Sequence, residues 1–541
     1  MTSKKIRWAL CPLTALALAG SPAVVAQQDA EHQHDHDNAA PSDLGTVHFP
    51  ISCDAGVHAD FDRATALLHS FGYELSGDAF RAVAARDPRC GMAWWGVAMT
   101  YYHPLWAPPS PEELTAGREA AQRASSIGAG TERERAYIDA IAAFYADADK
   151  TPHGARAGAY RDRMEALTKR FPDDSEARIF LALALLGTAP ANDASLAQQR
   201  RAGEILNAEL ASQPQHPGVV HYLIHSFDYP ELADLALPAA RVYAEIAPAS
   251  PHAQHMPSHI FTRLGLWPES IRSNLDSEAS ANAIAAKKKL NATPFDALHA
   301  LDYLEYAYLQ TGQLDEAKKV MERALRNAAV DPTFAAGYAV AAIPARYALE
   351  QRAWKDAASL AEPKAVLPWD RFPYALASTH FARAIGAARL GDATAAKSAV
   401  EAIAGVRAQL EAKPIGGPYD WTQQVEAMRL AAAAWVAHAQ RNDDEALDLA
   451  RRAADLQDRV GKHPVTPGEL LPARELLADL LAELGRDAEA LVEYEATLRS
   501  NPGRLNALRG AARSAAKAGK ASRARELEDA IASQLGVSSG G

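Results

Sequence analysis

The chain has 541 residues, 48% of them hydrophobic and 23% charged, with a formal charge of −11 at neutral pH. A surface this acidic repels phosphate backbones, so a nucleic-acid partner is not expected. The length would ordinarily mean three or four globular domains, yet no Gly/Ser linker or break in composition after residue 45 marks such a division.

Residues 1–26 are predicted to be a signal peptide. Lys4, Lys5 and Arg7 precede the apolar stretch "WALCPLTALALAG", and Val24-Val25-Ala26 offers small residues for cleavage. The stretch is too short to span a bilayer, and no transmembrane anchor is expected downstream, so the protein should be periplasmic or secreted. Removal of the leader takes away three positive charges and deepens the formal charge from −11 to −14. Residues 27–45, including "EHQHDHD", are predicted to be a flexible tail, either a loose metal scavenger or a solubilising leader. Cys53 and Cys90 then remain, without CxxC spacing, and in an oxidising compartment a disulfide between them is expected. Two buried free thiols are the alternative.

From residue 46 onward the chain is rich in Ala, Leu, Glu and Arg and lacks sustained alternation, which predicts helices throughout. A period of 34 residues links Gly485 to Gly519 and Ala490 to Ala524, with Tyr494 and Pro502 closing the unit. The same landmarks recur as Leu304, Tyr308, Gly312, Ala317 and Ala324, as Ala384, Gly391 and Ala396, and, near the N-terminus, as Phe80, Pro88, Trp94, Ala98 and Tyr101. Small residues let two helices approach closely, glycine permits the turn between them, and proline ends the second.

This pattern resembles the tetratricopeptide repeat family. The stretches "HYLIHSFDYPELA", "HMPSHIFTRLG" and "KHPVTPG" further resemble an exported bacterial subgroup of it. The resemblance implies an all-α, right-handed superhelical solenoid of helix pairs. Residues 46–216 would form irregular N-terminal repeats, 217–331 central units and 332–541 C-terminal repeats, with inserts near 285–297 and 459–470.

In that family, positions 2, 5, 9, 12 and 13 of each first helix line the concave groove. A frame set by Ala236, Pro248, Gly265, Ser270, Gly312 and Ala317 starts units at Pro217, Pro251 and Leu298. His221 and His225 then fall at positions 5 and 9, His252, His255 and His259 at 2, 5 and 9, and His299 at 2. All six face the groove, where chance would place about one. Histidines four apart on a helix can grip one metal ion, so these six are candidate ligands for one ion or two neighbouring ions. All-nitrogen ligation suits zinc, copper or iron. Pro257 should kink this helix near Ala253, or else start it and leave His252 and His255 on a loop.

Asp302, at position 5, is expected to supply an oxygen ligand or to orient a ring. Tyr222, Asp228, Tyr229, Arg263 and Arg346, on or near groove positions, are candidates for binding an anionic or peptide ligand. His463 sits on an insert that could fold back over the groove or stay exposed. His69, at position 13 of an N-terminal unit, lies far along the array. Two functions follow: a solenoid binding a protein, peptide or small-molecule partner in a histidine-lined groove, or a metal-dependent enzyme, hydrolase or oxidoreductase, with the histidines holding the catalytic metal. An open trough with splayed imidazoles would favour the first, and a closed pocket the second.

Overall fold

Helix boundaries follow from local chemistry. Ser110 and Thr131 each close a capping box, accepting from the backbone of Glu113 and Glu134 while those carboxylates reach back to the cap. Gly312, Gly485 and Gly519, with φ near +70°, stand between paired helices, where the chain must enter the left-handed region to reverse. The computed structural model describes residues 41–105, 108–190, 193–415 and 419–537. The expected leader and the "EHQHDHD" tail lie outside these.

Helix follows helix from His58–His69 to Ala521–Leu535, each packed against the next in antiparallel pairs, giving an all-α superhelical solenoid of tetratricopeptide-like units. Among the described residues the only strand pairing is two isolated bridges, Thr293 with Val330 and Ala329 with Val366. None of the described helices is long and apolar enough to cross a membrane.

One apolar core runs from Leu44 to Phe261 and so crosses the expected boundary at 216/217. A second extends from Tyr338 to Leu527. Cys53 and Cys90 are bonded at 2.02 Å and tie the segment before the first helix to the start of the helix Gly91–Met99, 37 residues on. Replacing both with serine should cost roughly 2–4 kcal/mol of stability through loop-closure entropy. Urea denaturation with and without reductant checks this: the native protein should lose stability in reductant, and the double variant should not respond.

The curvature departs from an open trough. At Gly503, with φ of +70°, the chain turns back onto the central units, where the glycine carbonyl accepts from the Trp267 indole at 3.2 Å. Leu505 N–H donates to Gln310 Oε1 at 2.9 Å, and Gln534 Nε2 donates to the Gln310 carbonyl at 2.7 Å. The last repeats thus close against the helix Phe295–Gln310.

Candidate metal centre

Three first helices carry the histidines. Pro217–Phe227 bears His221 and His225, and Phe295–Gln310 bears His299. Between them the helical path is broken at Pro257 into Pro251–His255 and Pro257–Arg263. Met256 keeps helical dihedrals, so the break is a joint and His252 and His255 stay on a helical turn rather than a loop. Ser250 caps the first piece by accepting from Ala253 N–H.

The six imidazoles converge as two triads. In His221, His225 and His252, and again in His255, His259 and His299, the ring nitrogens offered by the members all lie within 4.8 Å of one another. Five of the six residues are buried and His225 is half-buried. Burial pushes all six rings below the ordinary histidine value, and neighbouring imidazoles add to this for five of them. His225 is pushed down to about 3, first by burial and then by His259, against the pull of Asp228. All six are therefore neutral at pH 7, the form that donates a lone pair.

Outer partners fix which nitrogen faces inward. His221 Nδ1–H donates to the His69 carbonyl at 2.6 Å. His255 Nδ1 lies 2.7 Å from Asn274 Oδ1, and Asn274 Nδ2 donates to the Ser270 carbonyl, which sets the amide's orientation. His259 Nδ1–H donates to Asp228 Oδ2 at 3.0 Å. With the Nδ1 proton committed, Nε2 of each of these rings carries only a lone pair. Yet His255 Nε2 and His259 Nε2 face each other at 3.0 Å, and His221 Nε2 meets His225 Nε2 at 3.1 Å and His252 Nε2 at 3.0 Å. At the His255–His259 contact two bare lone pairs at that distance repel, and a metal ion about 2.0–2.1 Å from each nitrogen spans the same gap, so the second triad fits a transition-metal ion. The first triad sets His225 and His252 Nε2 at the same spacing around the bare Nε2 of His221.

A third cluster behaves differently. His69 Nε2–H and His216 Nε2–H donate to the two oxygens of Glu176 at 3.0 and 2.9 Å. His69 Nδ1 accepts from the Tyr222 hydroxyl at 3.0 Å, and His216 Nδ1 accepts from Val219 N–H at 3.3 Å. Every nitrogen there is matched to a proton, so this is a hydrogen-bonded network and leaves no lone pair for a metal. Burial raises the Glu176 carboxyl, but the two histidines outweigh it and hold it below the usual carboxylate range.

Asp228 anchors the second triad. Besides His259 it takes Arg263 Nε on Oδ1 at 2.8 Å, and Lys462 Nζ stands 3.7 Å from Oδ2. Burial pushes the carboxyl up, but Lys462, Arg263 and His259 more than reverse this and keep it ionised. The insert near 459–470 does fold back over the site. Lys462, rather than His463, makes the contact, donating to the carbonyls of His463 and Thr466 at 3.2 and 2.8 Å. The Thr466 carbonyl also accepts from the Tyr303 hydroxyl at 3.1 Å, and the Tyr303 ring stacks on His259.

The remaining candidate residues find partners within the fold. Asp302 neither ligates nor orients an imidazole, because the buried Arg346 guanidinium takes it at 2.7 Å together with Glu305 at 2.9 Å. Arg346 is thereby an internal counter-ion to both carboxylates. Tyr222 spends its hydroxyl on His69, and the Tyr229 hydroxyl accepts from Gln199 at 3.1 Å. Asp228 and Arg263 pair with each other at 2.8 Å. His463 stacks on Phe334 and accepts from Val465 N–H. His69 is not remote but touches the first triad.

Sequence reasoning missed Asn274, His216, Glu176, Lys462 and Phe71. The Phe71 ring sits 4.4 Å from that of His221, with φ of +55° holding it beside the first triad. A bulky residue in that region of backbone space is strained and is kept there by its packing.

No family model matches the chain, and no curated protein matches it. Solved structures do. A human IFIT1 dimer with m7Gppp-AAAA is 12% identical, with a TM-score of 0.38 over 83% of this chain and 90% of that one. Yeast Tom70 is 12% identical, with a TM-score of 0.34 over 89% of this chain and 99% of that one.

Proposed function

We propose that the protein is a redox enzyme whose centre is a pair of transition-metal ions, each held by three imidazoles, with copper as the metal the donors suit best. The observation that carries this is the pair of bare Nε2 atoms on His255 and His259, 3.0 Å apart, with both Nδ1 protons committed elsewhere. His221, His225 and His252 would hold the first ion, and His255, His259 and His299 the second. All six donors are neutral, so a low-charge or strongly imidazole-binding ion is favoured, and copper stands highest in the affinity order of divalent ions.

The nearby carboxylates support redox over hydrolytic chemistry. Asp228 is engaged by Arg263 and His259, and Asp302 by Arg346, so neither triad includes an oxygen ligand of the kind a hydrolytic pair commonly uses. Burial of the rings supports a resident cofactor over transient cargo, since a carrier must release its ion. When bound, two copper ions would supply two-electron chemistry with a small oxidant such as dioxygen. The chain's own residues do the rest. Asp228 and the His69 carbonyl fix ring orientation, Phe71 and Tyr303 keep water from the rings, and half-buried His225 marks the open side. Lys462, pushed down to about 8 chiefly by burial, places an ammonium beside Asp228 at the edge of the second triad. The disulfide supports a periplasmic or secreted location.

Untagged protein loaded with copper should carry two ions per chain by elemental analysis, and with an added reductant it should consume dioxygen. A His221→Ala/His259→Ala variant should lose both the metal and the dioxygen uptake. Native protein without stoichiometric metal, or a variant that matches it, overturns the reading.

A further inference from the structure

We propose that Glu176 is a positioning residue for the first ion, acting through His69 on His221. This rests on the two-ion reading above and assigns a role to a network that the ligand sets leave unused.

The network lies beneath the first triad. His69 is the last residue of the helix His58–His69, and its carbonyl points out of that helix's C-terminal end toward His221 Nδ1–H at 2.6 Å. A helix C-terminus carries partial negative charge, so the carbonyl both sets the tautomer of His221 and raises the donor strength of its Nε2. The position of that carbonyl depends on the His69 ring. Glu176, in the first turn of Ser175–Gly187, holds His69 Nε2–H, and Tyr222, next to His221 in sequence, donates to His69 Nδ1. Phe180 stacks on the same ring at 4.8 Å. On the other side, a Cβ at Gly218 would lie 2.5 Å from His69 Nδ1, so the helix bearing His221 is seated directly against this imidazole. The second oxygen of Glu176 holds His216, which caps that same helix through Val219 N–H. One buried carboxylate therefore fixes both the start of the helix that carries two ligands and the carbonyl that orients one of them.

Glu176→Gln keeps the shape and breaks the proton count. The new amide NH2 must face one of the two ring N–H donors. That ring can avoid the clash only by moving its proton to Nδ1, where at His216 it meets the Val219 N–H and at His69 it turns the Tyr222 hydroxyl from donor to acceptor and leaves the hydroxyl proton without its partner. The strain is delivered to the first triad, whereas His255, His259 and His299 have no contact with the network.

Copper(I) titration in competition with a chromogenic chelator tests this. Native protein should bind two equivalents. In Glu176→Gln one equivalent should weaken roughly 10- to 100-fold, while the other is unchanged and the helical circular dichroism is retained. Tyr222→Phe, which removes only the hydroxyl that donates to His69, should weaken the same equivalent by a smaller factor and keeps the test decisive if the Glu176 variant does not fold. Two native equivalents with both variants unaltered, or with both equivalents weakened alike in a folded variant, overturn the role of Glu176 alone. A native protein that binds no copper overturns the two-ion reading and this inference with it.

Discussion

Arg504→Ala should lower the stability of the protein by roughly 3–5 kcal/mol, since removing one member of a buried ion cluster strands the others. Arg504 is fully buried just before the helix Leu505–Lys517. It donates Nε and Nη2 to the two oxygens of Glu475 at 2.6 and 3.0 Å, and its Nη1 lies 2.6 Å from Glu350 Oε1 and 3.3 Å from the Tyr306 hydroxyl. Three side chains from separate helices meet on one guanidinium. Without it, Glu350 and Glu475 become uncompensated buried carboxylates facing each other. Arg504→Lys keeps a positive charge but loses the planar two-pronged grip on Glu475, so it should fall between native and alanine. Urea denaturation of the three proteins gives the order, and an alanine variant within about 1 kcal/mol of native would show that the cluster contributes little beyond its own desolvation.

Asp228→Ala should affect both stability and the metal centre. Arg263 and Lys462 would lose their shared counter-ion inside the protein, again a cost of roughly 3–5 kcal/mol. His259 would lose the acceptor of its Nδ1–H and with it the orientation of Nε2, for which a 10- to 100-fold loss in affinity for the second ion is expected. Asp228→Asn separates the two effects. An amide oxygen can still accept from His259, so metal binding should fall less than in alanine, while the two cations remain unpaired and stability falls nearly as far. Thermal denaturation of metal-free protein and copper titration of each variant measure the two quantities independently. If Asp228→Ala binds both ions as native does, the carboxylate has no hold on the second triad.

Helical periodicity made the repeat frame and the shared facing of His221, His225, His252, His255, His259 and His299 legible, because positions three and four apart on a helix depend on nothing distant. The division into two triads was not legible, since it depends on how far Pro257 turns the middle helix. Asp302 and Arg346 were each read as facing the groove, and their opposite charges on adjacent units were a signal that they would find each other. Asn274 lies on a second helix, off the groove positions, where the repeat frame gives no reason to look. The contact of His69 with His221 spans 152 residues and arises from the curl of the array, which spacing within one unit cannot reveal. For the insert, the sequence left a fold-back and an exposed loop both open, because nothing local to "KHPVTPG" shows that Lys462 will find Asp228 more than two hundred residues away.

The return of the last repeats onto Gln310 also changes how the molecule can come apart. An open array of repeats frays from either end, each unit leaning only on its neighbours. Here the bond from Leu505 to Gln310 joins units 195 residues apart, so the terminal units cannot peel away without tearing the middle. Assembly must likewise wait for a long stretch of chain to be in place before its ends can meet, which makes folding slow for an all-helical protein and its disassembly a single cooperative event.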